Sequence, residues 1–294
     1  MEKDSEISRS DKLFAAWQYL VPHHLLSRLM GFITHSDNKW IKLAYMKFII
    51  KRFGVNMDEA MEQDLDRFEH FNAFFTRELK PEARPIHPDK NILVSPVDGC
   101  VSQMGLIRNG KIFQAKGHNY SLTTLLGDKG KWEKQFINGE FATLYLSPKD
   151  YHRIHMPCDA KLKEMRHIPG QLFSVNPATV RAVPDLFARN ERVVCLFNTP
   201  VGPMAMILVG AIFVASIETV WDGIITPPTQ REIQITRYGE GMHNVVLRKG
   251  EEMGRFNMGS TVILLFGKDK MKWAEGLTAE SNVKMGEEIG TIIS

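Results

Sequence analysis

The first part of the chain repeats apolar residues every three or four positions, which is the spacing of amphipathic helices. The pattern runs from Lys12 to about Lys80. It predicts helices over LFAAWQYL, PHHLLSRLMGFITH, NKWIKLAYMKFIIKRFG and the stretch through FEHFNAFFTREL, with Pro22 opening the second. The proline-rich segment 81–99 then breaks the helical pattern. We therefore expect a helical region over residues 1–80 and a second domain over residues 81–294.

After this segment the pattern changes to short apolar runs separated by Gly, Asn, Asp and Pro. Representative runs are CVSQMGLI, KIFQA, FATLYLS, ERVVCLF, EIQITRY and NVVLRKG. Such runs are typical of short β-strands, so the second domain is expected to be β-rich and of sandwich or barrel type. The predicted fold class is therefore α+β. The longest apolar run, residues 202–217, is too short for a membrane span, and we interpret it as two buried strands around a glycine turn.

Composition and charge exclude several classes of protein. The chain has 294 residues, 44% of them hydrophobic, which is enough for a buried core. Lys and Arg number 37 against 34 Asp and Glu, a balance that gives no indication of nucleic-acid binding. Three widely spaced cysteines without a CxxC pair predict neither a disulfide framework nor a zinc site, and they fit a reducing compartment. The polar N-terminus does not resemble a secretory signal.

The helical region carries cations among its aromatic residues. The cations are Lys39, Lys42, Lys47, Lys51 and Arg52, and the aromatic residues are Trp17, Trp40, Phe48 and Phe53. The pattern is compatible with a helix that lies in a membrane interface. It is also typical of a helical subdomain that packs against its neighbour, and taken alone it favours that second interpretation, because most amphipathic helices bury their apolar face in protein.

Three short stretches place reactive side chains in apolar or turn-forming surroundings. In SPVDG, Asp98 follows a proline, and taken alone it is typical of a turn aspartate. In DYHRIHMP, His152 and His155 are three residues apart. The stretch has no Cys or Glu at the spacing of metal ligands, so it does not predict a metal site. In FNMGSTVILLF, the Gly-Ser-Thr at 259–261 directly precedes a predicted buried strand. Asp, His and Ser can form a nucleophilic relay, but a chain of this length contains many such combinations by chance.

The stretch FNMGST resembles the LGST-type processing motif of the phosphatidylserine decarboxylases, with Met258 in place of the usual leucine. This exchange conserves volume and changes no chemistry. Further stretches resemble blocks of the bacterial and mitochondrial-type members of that family, in the same order. They are SPVDG, YHRIHMP, FSVNPATV, LFARNERVV, GPMAMILVGAIFVASIETVW and KGEEMGRF. The resemblance extends from the N-terminal helices to the last strand.

The resemblance implies a proenzyme that cuts itself between Gly259 and Ser260. The products would be a large β chain, residues 1–259, and a small α chain, residues 260–294, that remain together noncovalently. Whether this complex dimerises is left open. Ser260 would become a pyruvoyl group, so neither a metal nor pyridoxal phosphate is expected as cofactor. A glycine before the serine leaves room for the attack of the serine hydroxyl on the preceding carbonyl.

The same resemblance assigns roles to the other reactive residues. Asp98, His155 and Ser260 match the family's self-cleavage relay, with His155 as general base and Asp98 fixing its tautomer. The pyruvoyl carbonyl would form a Schiff base with phosphatidylserine and take up the electron pair as CO2 leaves, which gives phosphatidylethanolamine. His152 is the candidate for shaping or protonating that intermediate. The alternative for His152 is a hydrogen-bonded wall of the pocket.

A substrate in a bilayer reverses the interpretation of the N-terminal helices. They are then expected to dock on an anionic membrane, as part of a peripheral protein at the cytoplasmic face of the inner membrane. Two other hypotheses remain: a serine hydrolase that uses Asp98, His155 and Ser260, and a noncatalytic lipid-binding protein of the same fold. No G-x-S-x-G elbow surrounds Ser260, which argues against the hydrolase.

Overall fold

The computed structural model of the protein describes residues 9–20, 23–115, 117–128, 130–212, 216–226, 232–239, 243–257 and 261–293. The predicted cleavage segment, Met258, Gly259 and Ser260, lies outside these residues, as does Pro22. The described α-helices are α1 (Arg9–Leu20), α2 (His23–Thr34), α3 (Lys39–Phe53), α4 (Phe71–Phe75), α5 (Leu122–Leu126), α6 (Glu133–Phe136), α7 (Pro177–Ala182) and α8 (Leu186–Arg189). Two short 3-10 turns span Leu65–Arg67 and Pro81–Ala83.

The first three helices lie close to their predicted positions. α3 begins after Asn38, whose side-chain oxygen accepts hydrogen bonds from the backbone N–H groups of Trp40 and Ile41. It ends where Gly54 adopts a left-handed conformation with φ of 75°. The fourth predicted segment is helical only over the short α4 and the 3-10 turn before it.

An aromatic core lies under α3 and α4, while large apolar side chains of α1–α3 remain exposed. Met46 and Ile49 of α3 pack against Phe71, Phe74 and Phe75 of α4. The exposed apolar surface consists of Leu13, Phe14, Trp17, Tyr19, Leu25, Leu29, Phe32, Ile33, Trp40, Ile41, Phe48 and Phe53. So many exposed large apolar side chains on three helices indicate a candidate interaction surface. None of the described helices is long and apolar enough to cross a bilayer.

Strands dominate the rest of the chain. The described strands are β1 (Ile92–Val94), β2 (Gly99–Leu106), β3 (Lys111–Ala115), β4 (His118–Ser121), β5 (Glu140–Tyr145), β6 (Arg153–His155), β7 (Ala160–Ile168), β8 (Arg192–Thr199), β9 (Gly202–Val209), β10 (Ile217–Thr219), β11 (Gly223–Ile224), β12 (Gln234–Arg237), β13 (Val246–Leu247), β14 (Glu252–Phe256), β15 (Thr261–Phe266), β16 (Met271–Trp273), β17 (Asn282–Val283) and β18 (Glu288–Ile292). The six runs predicted as strands are confirmed as β2, β3, β5, β8, β12 and β13.

Within the described residues the main sheet has nine strands, in the order β12-β7-β8-β9-β15-β5-β2-β17, with β13 also paired to β7. β15 lies in its middle and pairs along its whole length with β9 and β5. Ile263 and Leu265 face one hydrophobic core, and Val262 and Leu264 face the other. Because both faces of the sheet are covered, β15 is apolar at nearly every position instead of at every second one.

Smaller elements cover the two faces of the main sheet. The short helices α5–α8 contribute to one core, and the four-stranded sheet β11-β10-β14-β6 contributes to the other. The predicted α+β class, with helices first and a β-rich part after them, is confirmed. The division near residue 80 stays a prediction. Contacts join the two parts, because α1 packs against α7, where the Gln18 side-chain amide donates a hydrogen bond to Thr179 Oγ1 at 2.9 Å.

Candidate active site

The residues on either side of the predicted cleavage segment belong to different sheets. Asn257 follows β14, and its backbone N–H donates to the Ser216 carbonyl at 2.9 Å. Thr261 begins β15 and pairs with Tyr145 and Val209 in the main sheet. β14 pairs with β6, the strand that ends at His155. The strand that leads to the predicted cleavage segment is therefore the partner of the strand that carries the predicted general base.

His155 is held in a single neutral tautomer by its two ring partners. Its Nδ1 lies 2.8 Å from the Gly250 carbonyl oxygen, which can only accept, so Nδ1 carries the proton. Its Nε2 then has a lone pair, and the Tyr151 hydroxyl donates to it at 3.1 Å. Burial lowers the pKa of His155 below its ordinary value, although the bond to Gly250 opposes this shift. His155 is thus neutral near pH 7 and can accept a proton at Nε2.

Asp98 is paired with Arg84 and not with His155. Arg84 donates to the two Asp98 carboxylate oxygens, from Nε at 2.8 Å and from Nη2 at 2.5 Å, and the Met285 N–H donates to Oδ1 at 2.9 Å. The structure therefore brings Asp98 close to His155 without a direct hydrogen bond between them. The backbone N–H of His155 donates to the carbonyl of Pro96, two residues before Asp98, at 2.8 Å. The charge of Asp98 is one of the smaller influences that raise the pKa of His155.

Gly99, the residue after Asp98, explains why the SPVDG stretch has this sequence. It is the first residue of β2, and a Cβ placed there would collide with the Tyr145 carbonyl oxygen on β5. Only glycine allows the two strands to approach so closely. Asp98 is therefore held, buried, in the bend directly before β2.

His152 is completely buried and has one ring nitrogen without a partner. Its Nδ1 donates to the Asp150 carbonyl at 2.8 Å, whereas Nε2 has no hydrogen-bond partner in the described part of the chain. Its ring lies against Phe75, with 4.0 Å between the ring centroids. Burial lowers the pKa of His152 to about 3, so its side chain stays neutral and Nε2 is an acceptor. Among the described residues, no group of His, Cys, Asp and Glu side chains has an arrangement that could hold a metal ion.

An apolar cavity of about 400 Å³ lies between the N-terminal helices and the main sheet. Phe14, Trp17, Tyr45, Phe48, Ile49 and Phe53 line it on the helical side. On the other side it is lined by Phe75 and Tyr145. Phe75 contacts His152, and Tyr145 pairs with Thr261, the residue that follows the predicted cleavage bond. The cavity therefore extends from the exposed apolar surface to the immediate neighbours of His152 and Thr261.

The sequence does not identify several residues of this site. Asp98 is contacted by Arg84, and His155 is contacted by Tyr151 and by the Gly250 carbonyl. None of these three residues stands in a motif that predicts such a contact. The aromatic wall formed by Phe75 and Tyr145 was likewise assigned only to a helix and a strand. Tyr151 lies within the DYHRIHMP stretch, so its position next to the histidines was the one available signal.

The predicted cationic face of α3 needs a correction. Lys42 is buried, and its ammonium group donates to the backbone carbonyls of Asp66 and Phe68. Its role is to hold the loop after α3 in place, because a buried ammonium group needs such partners. Lys47 and Lys51 are exposed, as predicted.

The chain is similar to known proteins over most of its length. A family model described as phosphatidylserine decarboxylase matches residues 71–291, and a second, described as PSD, matches residues 13–54. Relatives named phosphatidylserine decarboxylase proenzyme include one from Pseudomonas putida, which is 56% identical over 277 residues, 94% of this chain and 96% of the relative. One from Hahella chejuensis is 54% identical over 287 residues, 98% of this chain and 96% of the relative.

These matches decide between the hypotheses for the chain. The relatives are similar over nearly the full length of both proteins, and the two family models cover the helical region and the β-rich part. The prediction of a decarboxylase, a lyase of phospholipid biosynthesis, is confirmed over the serine hydrolase and the noncatalytic protein. The chain belongs to the phosphatidylserine decarboxylase family.

Proposed function

We propose that the chain is a pyruvoyl-dependent phosphatidylserine decarboxylase that is made as a proenzyme and cuts itself between Gly259 and Ser260. The observation that carries this proposal is the apolar cavity that runs from the exposed apolar surface to Phe75 and Tyr145. It offers a path for a lipid chain to the strand that follows Ser260. The names of the relatives, which are proenzymes, support the self-cleavage.

In the proposed self-cleavage, the Ser260 hydroxyl attacks the Gly259 carbonyl and His155 takes its proton at Nε2. The amide C–N bond between Gly259 and Ser260 breaks as the nitrogen takes up a proton, which leaves an ester between the two residues. β-Elimination then releases the Gly259 carboxylate, and hydrolysis of the new N-terminal dehydroalanine by one water gives the ketone and ammonia. The tautomer of His155 suits this role, because Gly250 occupies Nδ1 and leaves the lone pair on Nε2. Asp98 contributes through its charge, which favours the imidazolium that forms.

The residues around position 260 fit a pyruvoyl group. Thr261 Oγ1 and His152 Nε2 are buried polar atoms without hydrogen-bond partners, and the cavity beside them is lined mainly by apolar side chains. Buried polar atoms are normally paired, so each of these two atoms is available to a partner that forms only after cleavage, the pyruvoyl group or the bound substrate. When present, a pyruvoyl carbonyl condenses with an amine and takes up the electron pair released with CO2.

His152 is proposed to orient the substrate rather than to act as an imidazolium acid. Its Nδ1 proton is engaged with the Asp150 carbonyl, and the lowered pKa keeps Nε2 unprotonated at neutral pH. Nε2 can therefore accept an N–H of the substrate's amino group. Phe75 fixes the ring and excludes water from it, which strengthens such a hydrogen bond.

Intact mass and CO2 release test this function together. Purified protein is expected to contain the two chains 1–259 and 260–294, with the smaller one blocked at its N-terminus by the pyruvoyl group. Vesicles that contain phosphatidylserine should release CO2 and accumulate phosphatidylethanolamine. A protein that remains one chain, or that releases no CO2 after cleavage, would overturn the proposal.

The exposed apolar surface of α1–α3 is proposed to dock on the membrane that holds the substrate, with the protein peripheral at the cytoplasmic face of the inner membrane. Phe32 and Trp40 are 78% and 83% exposed and do not line the cavity. Lys47 and Lys51 lie on α3 among these residues and can attract anionic lipid. Apolar insertion and electrostatic attraction thus act on the same helices.

A Phe32→Ser/Trp40→Ser double variant is expected to bind vesicles at least about 100-fold more weakly at any salt concentration, because burying each side chain contributes about 1.5–3 kcal/mol. A Lys47→Glu/Lys51→Glu variant should lose binding only on anionic vesicles at low salt. Vesicle co-sedimentation measures both. Self-cleavage should be normal in each variant, which serves as the control for folding. If the first variant sediments like the unaltered protein, the surface does not dock on lipid.

A further inference from the structure

Arg77 is a buried arginine whose charge has no ionic partner within the described residues. It follows α4 and is only 4% exposed. Its Nη2 donates to the Lys149 carbonyl at 3.3 Å, and its guanidinium lies over the Phe74 ring at 5.7 Å. Its Nε is buried and has no hydrogen bond. The side chain thus has an N–H donor without an acceptor, although buried donors are normally hydrogen-bonded.

The other buried arginines of the described chain are fully engaged. Arg84 pairs with two carboxylates, and Arg166 pairs with Glu164 and Asp128. Arg192 donates to three backbone carbonyls. Burial lowers the pKa of Arg77, with the field of Asp98 opposing that shift. A buried cation without an ionic partner is costly for a fold, which indicates that Arg77 has a use beyond packing.

The position of Arg77 points to the substrate. Two residues before it, Phe75 lines the apolar cavity and contacts the His152 ring. Lys149, whose carbonyl binds Arg77, lies between Pro148, which lines the cavity, and Asp150, whose carbonyl fixes His152. Arg77 therefore lies against the wall at which a lipid chain in the cavity ends and the reactive centre begins.

Resting on the proposed function, we infer that Arg77 binds an oxyanion of the lipid head group, either its phosphodiester or its carboxylate. A guanidinium presents a planar fork of N–H groups that matches both kinds of anion, and such charge-assisted bonds are strong in a buried place. The incoming anion supplies the partner that Arg77 lacks. If the bound anion is the carboxylate, the same contact would also make the site selective for phosphatidylserine over head groups that lack a carboxylate.

A different role for Arg77 is also testable. Burial lowers the pKa of Arg77, and the charges of Asp98 and Glu59 oppose that shift. Arg77 therefore lies within the electrostatic field of the carboxylates near His155. If Arg77 serves only to support Asp98, its loss should impair self-cleavage and leave head-group binding in the matured enzyme unchanged. Binding and maturation therefore have to be measured separately.

The experiment uses matured enzyme whose pyruvoyl carbonyl has been reduced to an alcohol with borohydride, so that binding is measured without chemistry. Calorimetry compares glycerophosphoserine with glycerophosphoethanolamine, which lacks the carboxylate. The variant is Arg77→Gln, and the control is Arg67→Gln, which removes an exposed, ion-paired charge nearby. Self-cleavage should be complete in both. Affinity should fall about 10- to 100-fold in Arg77→Gln alone.

Each outcome bears on the inference. A loss for both ligands assigns Arg77 to the phosphodiester, and a loss for glycerophosphoserine alone assigns it to the carboxylate. Unchanged affinities, or an uncut Arg77→Gln chain, would overturn it. If Arg77→Gln does not fold, Arg77→Met removes the charge and keeps an unbranched side chain suited to a buried place, and unchanged affinity for both ligands in that variant overturns the inference as well. An unaltered chain that stays uncut would instead refute the proposed function.

Discussion

A Ser260→Ala variant is expected to fold, to remain a single chain and to release no CO2 from phosphatidylserine. The substitution removes the hydroxyl that must attack Gly259 and, with it, the atoms from which the pyruvoyl group is made. The fold should persist, because β15 is paired with β5 and β9 over all its residues in the uncut chain. Intact mass and CO2 release measure the two losses, and thermal unfolding confirms the fold.

Ser281→Ala provides the matched control, since it makes the same change within the segment 260–294. The Ser281 hydroxyl accepts a hydrogen bond from the Thr278 N–H in an exposed turn, far in sequence from the cleavage bond. This variant should be cut and active. Cleavage of Ser260→Ala at the same bond would show that another group is the nucleophile.

The predicted small chain is anchored in two sheets, which bears on whether the cut protein stays together. β15 lies in the middle of the main sheet, and β17 pairs with β2 at its edge. β18 pairs with β1 and β16 in the three-stranded sheet. Since these contacts do not depend on the bond between residues 259 and 260, we expect the two chains to remain associated after cleavage.

The elements that the sequence predicts well are those whose local pattern agrees with their surroundings. The periodic apolar positions of α3, its Asn38 cap and its terminal Gly54 give its bounds closely. β15 is identified because a continuous apolar run is typical of a strand buried on both faces. The run 202–217 was only partly interpreted correctly. The first strand, β9, ends at Val209, and the two residues 211 and 212 are not in a strand. Residues 213–215 lie outside those described, and the next strand, β10, begins only at Ile217.

The contacts that complete the site depend on tertiary structure and carry no local signal. Arg84 reaches Asp98 and Gly250 reaches His155 from other parts of the chain, so spacing alone does not reveal them. The role of Lys42 likewise depends on tertiary contacts that its sequence neighbours do not reveal. Its place in a basic, aromatic stretch suggested a membrane contact, but two backbone carbonyls of the following loop hold its ammonium group. Tertiary partners decide the role of a charged residue more than its neighbours in sequence do.

A His155→Ala variant is expected to be cut about 10²–10⁴-fold more slowly, because it lacks the base that takes the Ser260 proton. Only the neutral imidazole accepts that proton, and burial lowers the pKa of His155. In the unaltered chain the cleavage rate should therefore stay constant as pH falls to about 6.5, the ordinary histidine pKa, and decrease only at more acidic pH. Synthesis in a cell-free system, followed by gel analysis over time at several pH values, measures both.

His152→Ala is the matched comparison, since it removes the neighbouring histidine of the same stretch. We expect this variant to be cut at a normal rate but to decarboxylate slowly, because Nε2 of His152 is unpartnered in the uncut chain and available to the substrate. His152→Gln repeats the test with a smaller cavity beside Phe75, in case the alanine variant unfolds. Normal cleavage in His155→Ala would remove His155 from the relay. A folded but uncut His152 variant would place His152 in the cleavage step. His155 would then no longer be assigned as the general base by itself, because both histidines would be required for cleavage.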